Sequence, residues 1–225
     1  MGQPRFSGGG NDANQKMGGH LLPIAFRNIF QYIVKKEDMT PTNSLELKRL
    51  GLPPVEQLGI IVKDITNAVD HYSALLNISC WYRAKIAKKN IHYLGNPIDL
   101  DLDIVVGYSG RLQFELIQVI RGDENVYTDF IRDPGHGIHH IGFVVTQLSE
   151  KINILKKEGF KLLQHGTFET KGKAVTRFAY FDTMDQFGYI TELIQTTFLG
   201  VNVGMSRWMM KIGTSLGDVD LIKKK

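Results

Sequence analysis

Four polar residues occupy equivalent places at the ends of two similar stretches of this chain. Gln57 and His140 each open an apolar segment with a glycine at its third place, in 57–62 and 140–145. Glu115 and Glu192 each begin the phrase Glu-Leu-Ile-Gln. One imidazole, two carboxylates and one amide oxygen form a mixed donor set that suits Zn, Ni, Co, Mn or Fe(II). The spacing therefore predicts one divalent metal ion held by Gln57, Glu115, His140 and Glu192.

Each stretch has the pattern of a βαβββ unit. An apolar strand is followed by a helical pattern, which Gly159 ends in the second copy. Three strand-like segments come next, at about 78–88, 98–108 and 111–119 in copy one and about 160–168, 174–182 and 188–195 in copy two. The repeat predicts an α+β fold in which two paired βαβββ modules form a cupped, mostly antiparallel eight-stranded sheet with helices outside.

The alternation of strand residues places the two carboxylates on the face away from the helices. Phe114 and Leu116 suit the helix face, which leaves Glu115 on the open face. Leu193 likewise faces the helices and Glu192 does not. Because a lone carboxylate among apolar neighbours is costly to bury, two at matching positions indicate a shared cation.

A row of aspartates has two interpretations. Asp99, Asp101 and Asp103 alternate with apolar residues, which is typical of a strand with one solvent-exposed face. A three-residue loop at 109–111, pairing Tyr108 with Leu112, would instead turn them into the cavity beside Glu115, whereas a two-residue loop would turn them towards the helix. We prefer the cavity placement because burying aspartates under a helix is costly. Asp103 then joins Glu192 as a candidate catalytic residue.

The segments 114–118 and 137–142 carry a resemblance to a known family. Phe-Glu-Leu-Ile-Gln and Gly-Ile-His-His-Ile-Gly resemble the middle of an epimerase-type member of the vicinal oxygen chelate superfamily, over roughly 55–195. This superfamily includes glyoxalases, methylmalonyl-CoA epimerases, extradiol dioxygenases and antibiotic-resistance proteins. The resemblance implies one metal ligand from the first and one from the last strand of each module. The ligand set with Gln57 is similar to that of one type of glyoxalase I, while the flanking residues resemble the epimerases.

The resemblance implies a metal-dependent isomerase or lyase that acts on a proton next to a carbonyl through a metal-stabilised enediolate. A carboxylate would move the proton, with Glu192 as first candidate and Asp103 as second. One alternative is a non-haem iron dioxygenase, which favours two histidines and one carboxylate. Another is a non-catalytic protein that binds a small molecule or confers resistance. The expected partner is a small-molecule carbonyl or thioester compound.

Composition bounds the remaining expectations. The formal charge of +4 comes from basic residues scattered along the chain, which does not favour nucleic-acid binding. A single cysteine, Cys80, and the lack of a long apolar run indicate a cytoplasmic protein without a membrane partner. We expect a disordered tail at 1–19, a helical extension at 20–52, the main domain at 53–197 (modules 55–119 and 138–195) and a C-terminal extension at 198–225. Whether the sheet closes within one chain or across a homodimer is open.

Overall fold

The computed structural model describes residues 48–132 and 135–223. The predicted tail at 1–19 and most of the extension at 20–52 lie outside the described residues. In chain order the elements are β1 (Gln57–Ile61), α1 (Ile65–Leu76), β2 (Cys80–Ala84), β3 (Ile86–Tyr93), β4 (Asn96–Ile98), β5 (Leu100–Ser109), β6 (Leu112–Gly122), α2 (Val126–Arg132), β7 (Gly137–Val144), α3 (Leu148–Lys157), β8 (Lys161–Thr170), β9 (Ala174–Asp182), α4 (Met184–Phe187), β10 (Ile190–Phe198), β11 (Val201–Asn202), α5 (Arg207–Leu216) and β12 (Val219–Lys223).

The two long helices of the repeat begin and end at residues that favour a helix terminus. Asp64 begins α1 by accepting a hydrogen bond from the Asn67 backbone N–H at 2.8 Å. Asn77 ends α1 in the left-handed conformation at φ 53°. Gly159 follows α3 at φ 88°, which confirms the predicted stop.

The sheet joins the two modules side by side. Its strand order is β12-β2-β5-β6-β1-β7-β10-β9-β8-β3-β4, with β11 paired to β10. Each module contributes four adjacent strands, and its first strand runs parallel to its last, β1 to β6 and β7 to β10. The antiparallel pair β1–β7 joins the modules within a single chain. The predicted fold class is confirmed, with four further strands added to the eight.

One predicted strand is wrong in its extent. The segment at 78–88 divides into β2 and β3, with only Lys85 between them. Strand β3 leaves module one and pairs antiparallel with β8, at the far edge of module two. Because β2 and β8 lie at opposite ends of the eight-stranded row, this crossing ties the two ends together and curls the sheet into a cup.

Apolar clusters lie between the sheet and the two long helices of the repeat. Under α1, Ile60, Val105 and Leu116 are buried with Ile65 and Val69 of the helix. A matching set lies under α3, namely Phe143, Ala179, Phe181, Leu193, Leu148 and Leu155. The helices therefore pack on the outer face and leave the concave face for a site.

The hairpin between β5 and β6 differs from the prediction. Ser109 pairs with Leu112, so the loop has two residues, Gly110-Arg111, instead of the predicted three. Asp103 pairs with Gln118 in register, and positions 118 and 115 lie on opposite faces of β6. The prediction that placed Asp103 on the cavity face with Glu115 is therefore wrong.

The expected cost of burying the aspartates does not arise. The side chains of Asp99, Asp101 and Asp103 are 56, 37 and 25% exposed. Asp103 lies 3.1 Å from Arg83 Nε, and Arg121 lies 3.0 Å from Asp99 and 2.6 Å from Asp101. These contacts describe a partly solvated ion-pair network, which matches the first interpretation of the row.

Candidate metal centre

The four predicted ligand residues lie on four adjacent strands at the centre of the sheet. Glu115 is on β6, Gln57 on β1, His140 on β7 and Glu192 on β10. His140 Nε2 lies 2.9 Å from Glu192 Oε2, 3.5 Å from Glu115 Oε2 and 3.4 Å from Gln57 Oε1. All four residues are buried, with between 0 and 9% of their surface exposed. The structure thus brings together all four residues and leaves Asp103 outside the group.

The repeated glycines explain how the strands approach so closely. In the β1–β7 register, Gly59 faces His140 and Gly142 faces Gln57. A Cβ atom on Gly59 would lie 1.8 Å from the His140 ring, and one on Gly142 would lie 2.6 Å from Gln57 Oε1. Each module therefore supplies the glycine that makes room for the other module's ligand.

A β-bulge places a second histidine against His140. The β1–β7 register shifts between Gly59 and Ile60, which leaves His139 as the extra residue. His139 Nδ1 lies 3.0 Å from His140 Nδ1, and His139 Nε2 lies 3.3 Å from the Val126 carbonyl oxygen. At this bulge, His139 and His140 therefore do not face opposite sides of the strand, as adjacent residues do in a regular strand.

These contacts fix the tautomer of His140. A carbonyl oxygen only accepts hydrogen bonds, so His139 carries its proton on Nε2 and accepts at Nδ1. Burial and the nearby charge of His140 lower the pKa of His139 well below its usual value, which keeps it neutral. His140 then donates from Nδ1, and its Nε2 faces Glu115, Glu192 and Gln57 as a ligand atom would.

A directional chain of hydrogen bonds orients Gln57. Tyr108 donates to the Met205 carbonyl at 2.7 Å, and Gln113 Nε2 donates to the Tyr108 hydroxyl at 2.6 Å. Gln57 Nε2 in turn donates to Gln113 Oε1 at 2.7 Å. Because the amide nitrogens of Gln57 and Gln113 both donate away from the candidate metal centre, the Gln57 Oε1 atom faces His140.

The charges of the site fit a cation. Burial raises the pKa of Glu115. Burial alone would lower the pKa of His140, but Glu192 and Glu115 outweigh it and raise that pKa to about 9. Glu192 Oε2 is buried and lies 2.9 Å from His140 Nε2, but the two atoms do not form a hydrogen bond of regular geometry.

One ligand atom from each of Glu115, His140 and Glu192 lies within 4.8 Å of the others. A divalent ion would satisfy the unpaired oxygen and balance the two carboxylates, so the residues fit a metal.

Two buried tyrosines, which contact each other, lie near the candidate metal centre. Tyr180 pairs with Glu192 across β9 and β10, and its ring centroid lies 5.1 Å from that of His140. Its hydroxyl lies 2.9 Å from the Tyr127 hydroxyl of α2. Burial raises the pKa of both phenols well above its usual value, so both remain neutral.

Sequence reasoning did not assign roles to His139, Tyr127 or Tyr180. The doubled histidine is visible in the sequence, but only the bulge shows that both rings turn to one side. The alternation of residues in β6 puts Gln113 on the same face as Glu115, but no pattern in the sequence predicts its hydrogen bond with Gln57.

Comparison with known proteins identifies the family. The family model of the Glyoxalase/Bleomycin resistance protein/Dioxygenase superfamily matches residues 56–180, and the chain belongs to this superfamily. The resemblance to this superfamily that the sequence shows is therefore confirmed. An uncharacterized protein of Bacillus subtilis, YqjC, is 22% identical over 141 residues, which are 63% of this chain and 91% of that protein.

The solved structures that are similar to this chain include epimerases. A methylmalonyl-CoA epimerase from Mycobacterium tuberculosis is 16% identical, with a TM-score of 0.45 over 64% of this chain and 87% of its own. A hypothetical protein from Bacillus halodurans is 21% identical, with a TM-score of 0.44 over 63 and 92% of the two chains. Among the described residues, none of the helices is long and apolar enough to cross a membrane.

Proposed function

We propose that the protein is a metal-dependent isomerase or lyase that moves a proton next to a carbonyl group. The observation that carries this proposal is the convergence of His140, Glu115, Glu192 and the Gln57 oxygen around one buried point. A divalent ion bound there supplies a Lewis acid that acidifies the proton next to a carbonyl. Membership of the superfamily supports the proposal, because the superfamily includes epimerases and glyoxalases.

Glu192 is the residue that we propose as the proton carrier. Its Oε2 atom is buried and forms no hydrogen bond of regular geometry, although His140 Nε2 lies 2.9 Å away. A cation or a proton at this oxygen would compensate its burial. Glu192 also lines the cavity on the concave face, where a substrate would be bound. Glu115 lines the same cavity, but its side chain is 12% exposed against 6% for Glu192, so water reaches it more easily.

Glu192 is the more buried of the two carboxylates, and its assignment as proton carrier rests on the oxygen that forms no regular hydrogen bond. Glu115, with Gln57 and His140, is then assigned to holding the ion.

The donor set supports this function better than a dioxygenase. A non-haem iron oxygenase site uses two histidines and one carboxylate. His139 is the nearest candidate for a second histidine, but one of its ring nitrogens faces His140 and the other faces Val126. The candidate ligand set therefore contains a single histidine, His140.

The test combines metal content with proton exchange. The protein is reconstituted with each of the five candidate metals, and incorporation of solvent deuterium into a panel of 2-oxo and acyl-thioester compounds is followed by NMR. We expect about one ion per chain and exchange with at least one compound. His140→Ala should lose most of the metal, while His71→Ala, on the exposed side of α1, should keep it. Reconstituted protein without bound metal would contradict the proposal.

A further inference from the structure

The cavity beside the candidate metal centre indicates what kind of substrate it accepts. A cavity of about 140 Å³ lies on the concave face and is lined by Gln57, Glu115 and Glu192 together with residues of the C-terminal segment. Any molecule that reached a metal at this centre would place its other atoms in this space. A substrate assigned from this cavity rests on the function proposed above, because it would be bound at that same site.

Apolar side chains form most of the cavity wall. Strands β8 to β10 contribute Phe168, Phe178 and Phe198, and strand β5 contributes Ile104 and Val106. The C-terminal segment adds Met205, Met209 and Met210, which precede or belong to α5. Methionine and phenylalanine side chains favour flat, polarisable apolar groups.

The charged groups of the wall all have one sign. Among the described residues that line the cavity, the charged ones are Glu115, Glu192 and Asp218, and none is a lysine or arginine. Asp218 already accepts a hydrogen bond from the Gly172 backbone N–H at 2.5 Å. An anionic substituent in this cavity would meet carboxylates and apolar carbon, so its desolvation would not be compensated.

The volume limits the size of the group. An apolar cavity of roughly 150 Å³ in a protein interior is known to hold benzene. We propose that the substrate is an uncharged carbonyl compound carrying an apolar group about the size of a benzene ring. The ring lies among the phenylalanines and methionines, and the carbonyl lies towards Glu115, His140 and Glu192.

The test uses three hydroxamic acids that share one metal-binding group. Acetohydroxamic acid carries a methyl group, benzohydroxamic acid a phenyl ring and 4-carboxybenzohydroxamic acid a phenyl ring with a negative charge. Their affinities for the metal-reconstituted protein are measured by isothermal titration calorimetry. We expect the phenyl compound to bind on the order of tenfold or more tighter than the methyl compound, because it buries more apolar surface. The carboxylated compound should lose that gain.

A matched pair of variants checks that the cavity is responsible. Met209→Lys places a cation in the wall, and we expect it to favour the carboxylated over the plain phenyl compound. Trp208→Lys changes the neighbouring residue, which is 59% exposed and does not line this cavity, and should leave the preference unchanged.

The outcomes separate the two proposals. If all three compounds bind equally, or the carboxylated one binds best to the unmodified protein, the inference about the substrate is wrong while the metal site stands. If none binds and elemental analysis finds no metal, the proposed function itself fails.

Discussion

At the scale of single residues, the candidate centre depends on neighbours that fix its ligand atoms. His139 presents a hydrogen-bond acceptor to His140 Nδ1, and Gln113 accepts from the Gln57 amide nitrogen. Partners of this kind set the tautomer and rotation of a ligand without touching the ion. Their removal should change metal affinity while the ligands themselves remain.

The first prediction concerns His139. His139→Phe fills much of the same buried space but offers no acceptor to His140 Nδ1–H. We expect metal affinity to fall by a factor of about 10 to 100, as is typical when the partner of a ligating histidine is lost. A competition titration against a chromogenic chelator measures this. The control is His165→Phe, a histidine stacked on His92 on β8 and β3; an equal loss in both variants would contradict the role given to His139.

The second prediction separates the two carboxylates. Glu192→Gln should keep much of the metal yet lose turnover by a factor on the order of 10² or more, as expected when a general base is removed. Glu115→Gln should mainly weaken metal binding and recover activity when metal is added. Metal stoichiometry and turnover are measured on the same preparations. If excess metal restores full turnover to Glu192→Gln, then Glu192 acts only as a ligand.

The sequence identifies these four residues because strand alternation and an internal repeat are both visible in it. Glu115 and Glu192 stand out as carboxylates among apolar neighbours, and the repeat relates them to Gln57 and His140. The partner of His140 is not visible in the same way. A bulge depends on how two distant strands align, and no local pattern in 137–144 specifies that alignment.

At the scale of elements, the pairing of β1 with β7 determines whether the two halves of the site meet. The third prediction tests this through the two glycines. Gly59→Ala should push the His140 ring aside, because the added Cβ would lie 1.8 Å from it. We expect this variant to lose most of its metal. Gly142→Ala, whose Cβ would lie 2.6 Å from Gln57 Oε1, should lose less, since Gln57 is one neutral ligand.

Circular dichroism and elemental analysis distinguish displaced ligands from a misfolded sheet. Both variants should keep the secondary structure of the unmodified protein. Unchanged metal content in folded Gly59→Ala would show that His140 does not hold the ion in the arrangement described here.

The β5–β6 hairpin shows where sequence reasoning fails at this scale. The sequence favours a three-residue loop because a two-residue loop would turn the aspartates towards a helix. In the structure that end of β5 is partly exposed, and Lys89, Arg83 and Arg121 pair with the aspartates. Lys89 belongs to β3, and Arg83 belongs to β2, which pairs with β5. These contacts depend on strand pairing and could not be predicted from the local pattern of the aspartates.

At the scale of the whole molecule, the C-terminal segment joins the two modules. Strand β12 pairs with β2 at the edge of module one. Asp218 lies just before β12, and its side chain accepts from the Gly172 backbone N–H in the turn between β8 and β9 of module two. Its own carbonyl accepts from the Lys85 backbone N–H, between β2 and β3, at 2.9 Å. One residue thus contacts both modules and also lines the cavity.

The last prediction concerns this junction. Asp218 is 3% exposed and Gly172 is partly buried, so Asp218→Ala removes the acceptor of the Gly172 N–H in a partly buried place. We expect the free energy of unfolding to fall by about 1–3 kcal/mol, the usual cost of an unmet buried donor. The matched control is Asp220→Ala, which removes an exposed ion pair with Lys85 and should cost about 0–1 kcal/mol. Urea unfolding of the two variants and the unmodified protein measures the difference. Equal losses would mean that Asp218 does not join the modules, and that β12 alone holds the C-terminal segment against the sheet.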